Sequence, residues 1–338
     1  MSLRKQATSG LVWTFAEQFG NQIIGFGVSL ILARILLPAE FGLIGMISIL
    51  VGFGRVLVDS GMTQSLIRNN DLEADDFSTV FYFNLAASFI IYFIVFFTAP
   101  FVADFYNQPI LIKVIRLYCL TFIFSAFSAV QLAKLTKSMN FKTQTLISLP
   151  ASIIGGVVGV VMAYNDFGVF SLVWSQIIIS VVSTVQIWVY SGWTPGFNFN
   201  LIKFKDHFNF GYKMALSGIL EVLFKNAYIL IIGKYYSASQ VGYYTRAETM
   251  KQLPVNNISN ALKKVTFPLF AEIQGDNIRL KRVYKQLMQM VIFVLAPILI
   301  FVAVLAEPTF RLLFTAKWLP AVPYFQILCI TGILKPIH

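Results

Sequence analysis

The chain has 338 residues, of which 57% are hydrophobic and only 12% charged, where a soluble domain of this size carries about 25% charged residues; that leaves too little polar surface to cover a globule in water. The net charge of +11 does not point to nucleic acid, because the basic residues lie mostly in loops between apolar runs rather than on one amphipathic face. With a mean hydropathy of +0.73 and 33 Phe, 14 Tyr and 5 Trp, the composition is that of an all-α polytopic membrane protein with interfacial aromatic rings.

The N-terminus, Met1 to Gly10, is short, carries Arg4 and Lys5, and runs into an apolar stretch that holds Glu17, Gln18, Asn21 and Gln22. A cleaved signal peptide has a clean apolar stretch and a small-residue cleavage site, so a retained first helix is expected. A spanning helix needs roughly 20 mostly apolar residues, and ten are predicted. The first six cover about 10–33, 41–60, 78–103, 110–133, 143–164 and 167–190. A polar link, Ser191 to Asp206, leads to the last four, about 209–233, 240–262, 284–306 and 320–338. The eighth span is polar ("TRAETMKQLPVNNISN", with Pro254) and is placed by the period of its neighbours.

Loop charge sets orientation. One side receives fifteen Lys and Arg, among them Arg4, Lys5, Lys203, Lys205 and Lys213, and the other only Arg34, Lys113, Lys234, Arg311 and Lys317. This predicts a cytoplasmic N-terminus. "ARILLPAEFG" (Ala33 to Gly42) and "GKYYSASQVG" (Gly233 to Gly242) align at one offset of 200 residues, matching Arg34 with Lys234 and Gly42 with Gly242. The offset pairs the first span with the seventh, which share a direction. Two parallel repeats are therefore expected, residues 1–195 (spans one to six) and 196–338 (spans seven to ten), as bundles around a central cavity. Each matched turn joins two helices on the outer face. Pro38 stops a helix and frees the chain to reverse, and Gly42 and Gly242 allow tight entry into the next helix.

Ionisable side chains in a membrane are costly and usually face water or a partner. Here they gather on four spans: Glu17 and Asn21 on the first, Arg55 and Asp59 on the second, Glu221, Lys225 and Asn226 on the seventh, and Arg246, Glu248 and Lys251 on the eighth. Glu17/Asn21, Arg55/Asp59 and Glu221/Lys225 are each four apart, so each pair projects from one helix face. Two readings stay open: internal ion pairs that fasten helices, or a hydrated, net-basic cavity suited to a phosphate or pyrophosphate. Arg34 and Lys234 either snorkel to head groups or close an outer gate.

No P-loop, G-x-S-x-G elbow or H-E-x-x-H helix is present. Cys119 and Cys329 lie in apolar segments, and His207 and His338 are isolated in the sequence, so neither a disulfide framework nor a zinc site is expected, and no cofactor is assigned. The acidic "EADD" run is read as a solvated loop, and "GGVVG" (Gly155 to Gly159) as a place where another helix approaches closely.

The segments "ARILLPAEFGLIGM" (Ala33 to Met46), "VDSGMTQSLIR" (Val58 to Arg68), "TAPFVADFYNQPIL" (Thr98 to Leu111), "MNFK" (Met139 to Lys142), "IIGKYYSASQVGYYTRA" (Ile231 to Ala247) and "FPLFAEIQGD" (Phe267 to Asp276) form an ordered series. It resembles the polysaccharide-exporter branch of the MOP flippase superfamily, most of all the WzxC-type lipopolysaccharide and exopolysaccharide transporters. The resemblance implies a non-enzymatic inner-membrane flippase for an undecaprenyl-pyrophosphate-linked oligosaccharide, working by alternating access beside polysaccharide polymerase and assembly proteins. It implies head-group contacts from Arg55, Arg246 and Lys251, with Lys225 and Asn21 beside them, and Glu17 and Glu221 are candidates for a coupling ion. The family has twelve or more helices, so the second lobe is expected to be incomplete. The rival expectations are a multidrug or metabolite exporter of the same fold, and a polytopic polysaccharide polymerase or ligase.

Overall fold

The computed structural model describes residues 3–273, 275 and 277–334, and every element among them is helical. In chain order these are α1 (Leu3–Ile35), α2 (Pro38–Asp59), α3 (Met62–Arg68), α4 (Ala74–Tyr106), α5 (Leu111–Tyr118), α6 (Leu120–Lys137), α7 (Phe141–Tyr164), α8 (Val169–Ser191), α9 (Leu201–Tyr235), α10 (Ala238–Ile273), α11 (Asn277–Val304), α12 (Ala306–Phe314) and α13 (Val322–Leu334). A 3-10 turn, Ala316–Ala321, joins the last two. Each predicted span has its helix, the fourth being broken at Cys119 into α5 and α6; the short α3 and α12 were not expected. Seven stretches among the described residues are long and apolar enough to cross a membrane: α2, α4, the α5–α6 run, α7, α8, α9 and Arg279–Val304 of α11. The polar α1 and α10 and the 13-residue α13 fall short of that standard by composition or length. His338 and the end of the tenth predicted span lie outside the described residues.

Local chemistry sets the boundaries. Pro38 occupies the first position of α2, where its missing N–H is no loss, and the Glu40 carboxylate accepts from Leu37 N at 2.6 Å. Asn200 caps α9, accepting from Ile202 N at 2.9 Å. The helix therefore starts at Leu201, and the polar link is shorter than predicted. The "EADD" run is also corrected. It forms the start of α4, because Asp76 reaches back to the Glu73 N–H at 2.8 Å as one arm of a capping box, and acidic groups suit a helix N-terminus. Within α4, Pro100 has no N–H to give to the carbonyl of Phe96. Arg116 Nε supplies the donor instead, at 3.3 Å.

The chain forms two compact units, Met1–Leu36 with Leu43–Tyr236, and Leu37–Gly42 with Ser237–His338. In the first, α7 packs along α8 and α1. A methyl on Gly155 would stand 2.7 Å from the Ser175 carbonyl, and one on Gly156 2.5 Å from Val28, which is the close approach read from "GGVVG". Between α4 and α8 lies α6, where Phe81, Phe127 and Trp188 meet edge to face or tilted and Trp188 Nε1 donates to Phe127 O at 2.9 Å. In the second unit α10, α11 and α13 pack on one another, and the 3-10 turn lies on α10 and α13. These units do not divide at residue 195: α9 lies against α3 and α4, and the Leu37–Gly42 tip lies against α10.

Candidate functional site

Four of the polar side chains that the sequence singles out, Arg55, Glu221, Lys225 and Asn226, lie at or beside one helix seam. Ser48 on α2 donates to Asn226 Oδ1 on α9 at 2.8 Å. A methyl on Gly52 would stand 2.7 Å from Val222, and one on Gly218 3.2 Å from Val56. Each pair steps four residues up α2 and four down α9, the pattern of antiparallel helices packed along one face. Small residues let the backbones approach. The seam closes where Gly61, in the left-handed region at φ 70°, meets Gly211: a methyl on either would stand 2.4 Å from a carbonyl oxygen of the other chain segment.

Arg55, Glu221 and Lys225 each lie three residues beyond a seam residue (Gly52, Gly218 and Val222). Three residues turn a helix by about 300°, and an equal offset on two antiparallel helices points to the same side of their seam. By the seam register, Arg55 and Glu221 differ by about 3 Å along the axis. The structure thus lines up three of the expected residues on one flank. Arg55 is exposed beside Tyr118. Glu221 and Lys225 form an ion pair with side chains 62% and 67% exposed. The reading of Arg55 and Asp59 as an ion pair is corrected, since Asp59 instead accepts from the hydroxyl and the N–H of Thr63 at the start of α3.

The other expected residues go elsewhere. Asn21 bridges α1 to α7, donating to Ser148 at 3.1 Å and accepting from Ser152 at 2.6 Å. Glu17 borders the same Ser148. Arg34 is exposed in the last turn of α1. Lys234 donates to Phe105 O at 2.9 Å and lies 4.5 Å over that ring, placing its charge at the C-terminal end of α4 as the helix dipole favours. Two residues expected to face a cavity are buried here. Lys251, 5% exposed, holds both carboxylate oxygens of Glu248 at 2.7 Å. Arg246, 6% exposed, lies over the rings of Phe41, Trp318 and Phe314 at 4.5, 5.0 and 5.1 Å. Rings from the hairpin tip, α12 and the 3-10 turn cover Arg246, Lys251 packs beside Gly332 of α13, and helix-face spacing did not reveal either.

Sequence reasoning also missed a cluster at the start of α9. His207, read as isolated, is buried with Nδ1 2.8 Å from Ser65 Oγ on α3 and Nε2 3.0 Å from Asp76 Oδ1 on α4. Lys203 reaches the other Asp76 oxygen at 3.2 Å. The partners lie 131 and 142 residues away, beyond any local pattern. Serine, histidine and carboxylate stand in a row, but all three are buried in helix packing, which suits a clasp between helices. The link before α9 is fastened to α4 as well, Gly196 N to Ser78 Oγ at 2.9 Å and Asn200 N to Thr79 Oγ1 at 3.0 Å. No group of three or more His, Cys, Asp or Glu among the described residues could hold a metal ion.

Residues 31–323 match the family described as polysaccharide biosynthesis protein. The chain belongs to that family. Among its curated relatives, the lipopolysaccharide biosynthesis protein WzxC of Escherichia coli is 25% identical over 342 residues, covering 100% of this chain and 69% of WzxC. The succinoglycan biosynthesis transport protein ExoT of Rhizobium meliloti is 26% identical over 333 residues, covering 98% of this chain and 67% of ExoT. Among solved structures, the lipid II flippase MurJ in an inward closed conformation superposes with a TM-score of 0.73 at 14% identity, covering 97% of this chain and 76% of MurJ. At that identity the likeness shows the fold. The protein is thus a multi-pass, all-α membrane protein whose fold is shared with this two-lobed flippase, in the family its ordered motifs resemble.

Proposed function

We propose that the protein is a flippase that carries a lipid-linked oligosaccharide across the bacterial inner membrane, leaving it chemically unchanged. Family membership supports the pathway, and ExoT, described as a transport protein, supports the activity. The fold shared with a lipid II flippase supports the class of cargo. The observation that carries the site is the row of Arg55, Glu221 and Lys225 along one flank of the α2–α9 seam. Together they bear one net positive charge, and Arg55 presents a planar guanidinium suited to bidentate contact with a phosphate. The head group engages this flank while the lipid tail stays in the bilayer. Asn21, on the α1–α7 seam, adds a polar wall, and Glu17 and Glu221 are the carboxylates proposed for ion coupling.

The N-terminus is cytoplasmic in this reading, on the fifteen-to-five distribution of Lys and Arg between the two sides. Polysaccharide polymerase and assembly proteins then receive the delivered glycan on the outer face. The test uses cells that lack their own flippase but make the lipid-linked glycan, and measures outer-face glycan. Restored delivery that Arg55→Ala abolishes, at unchanged protein level, is the expected result. Delivery that survives both Arg55→Ala and Lys225→Ala removes the flank from the mechanism.

A further inference from the structure

The tip of the first hairpin, Leu37–Gly42, belongs by its packing to the second compact unit. A methyl on Gly42 would stand 1.7 Å from Ala238 O, and one on Gly242 2.0 Å from Pro38 O. Pro38 with Gly242 and Ala238 with Gly42 are the same contact shifted by 200 residues, so the two repeats meet here about a local two-fold axis. Beside this crossing, Phe41 forms one wall of the Arg246 box and meets Trp318 edge-on at 5.4 Å. Tyr243 closes on the same indole at 6.2 Å. Glu40 approaches Lys317 on the 3-10 turn, where burial pushes the ammonium pKa down and the Glu40 carboxylate pulls it up.

A piece of the first repeat is therefore seated on the second at this backbone crossing, with Phe41 as one wall of the Arg246 box. A desolvated cation–π contact is strong enough to hold a loop and weak enough to release within a transport cycle. Resting on the flippase reading and its topology, we propose that Leu37–Gly42 is the outer gate and that the Arg246 box is its latch. The tip sits on Gly242 and Ala238 while the outer side is closed, and lifts off to release the glycan. Arg246 then serves the gate, and head-group contact falls to Arg55 and Lys225.

The reporter is Ala238→Cys, beneath the tip and 8% exposed before substitution, labelled from outside intact cells with a membrane-impermeant maleimide. The chain without the reporter gives the background from Cys119 and Cys329. Labelling is expected to be slow in the reporter chain and about tenfold or more faster with Phe41→Ala or Arg246→Met added, as loss of a latch of this strength implies. Unchanged rates in both, or labelling only from the cytoplasmic side, overturn the gate. If either variant fails to accumulate, Trp318→Leu, which removes one wall of the box, must accelerate labelling by the same logic. A second arm leaves the box intact: Glu40→Cys and Lys317→Cys are joined by a short reducible cross-linker. Export is expected to stop on cross-linking and return on reduction, and full export by the linked protein overturns the proposal. Labelling needs no substrate, so faster labelling in a chain that never exports supports the gate and sinks the flippase reading.

Discussion

The clasp at the start of α9 and the box at the start of α10 both hold polar groups out of water, with opposite chemistry. In the clasp, Asp76 accepts from Glu73 N and meets His207 Nε2 and Lys203 Nζ, and His207 is also bonded to Ser65. Every member depends on the others, since a buried group that loses its partner keeps the whole desolvation penalty. In the box, Arg246 lies against three rings, and losing one wall leaves two. The first arrangement resists removal of any part, and the second gives way by degrees. A fixed joint calls for the first and a moving one for the second.

The largest expected effect breaks the clasp. Asp76→Ala leaves the buried His207 without its Nε2 partner and is expected to destabilise the protein by about 1–3 kcal/mol, read as a fall in thermal midpoint in detergent. Asp76→Asn keeps an acceptor for His207 and is expected to cost clearly less. Equal midpoints for the two variants would mean that packing, and not the carboxylate, holds α9 to α4.

An intermediate case sharpens the contrast. Arg116 lies 4.0 Å over the Phe96 ring, as Arg246 lies over its rings, yet it also donates to the Phe96 carbonyl that Pro100 leaves without a helical donor. Replacing Pro100 by Ala restores a backbone donor, so Arg116→Ala should cost about 1 kcal/mol less in the Pro100→Ala background than in the parent. Denaturation of the four chains of this cycle gives the coupling directly. Additivity would show that Arg116 acts through the ring alone.

What could be read in advance follows from the range of each signal. Apolar length is local, so most of the helices were legible from it, while the polar eighth span needed the period of its neighbours; the 200-residue repeat was legible too. Four-residue spacing correctly placed Glu221 and Lys225 on one face and formed their ion pair. It also placed Arg55 and Asp59 on one face, but Thr63, four residues past Asp59, took the carboxylate. Spacing reports a face and not its occupant. The box needed Phe41, Phe314 and Trp318 to converge on Arg246, and the clasp needed Ser65 and Asp76 to converge on His207. No period connects those positions; the packing of α9 and α10 does. Gly42 and Gly242 were legible as a pair, while their crossing about a local two-fold axis belongs to the tertiary structure.

The smallest expected effect concerns the flank that the proposed function depends on. Glu221 and Lys225 are both more than half exposed, and an exposed i,i+4 pair contributes only about 0.3–0.5 kcal/mol. Lys225→Ala and Glu221→Gln should therefore shift the thermal midpoint very little, in contrast to Asp76→Ala. Their effects on apparent affinity should differ in direction if the flank binds an anion. Lys225→Ala removes a positive charge from the row and is expected to weaken delivery. Glu221→Gln frees Lys225 from its partner, and head-group binding is expected to tighten even where turnover slows, because Glu221 is also a proposed coupling group. Substrate-concentration curves for the two variants separate these effects. Parallel losses, with no difference in apparent affinity, would mean that the pair's charge plays no part in holding the cargo and that Arg55 works alone.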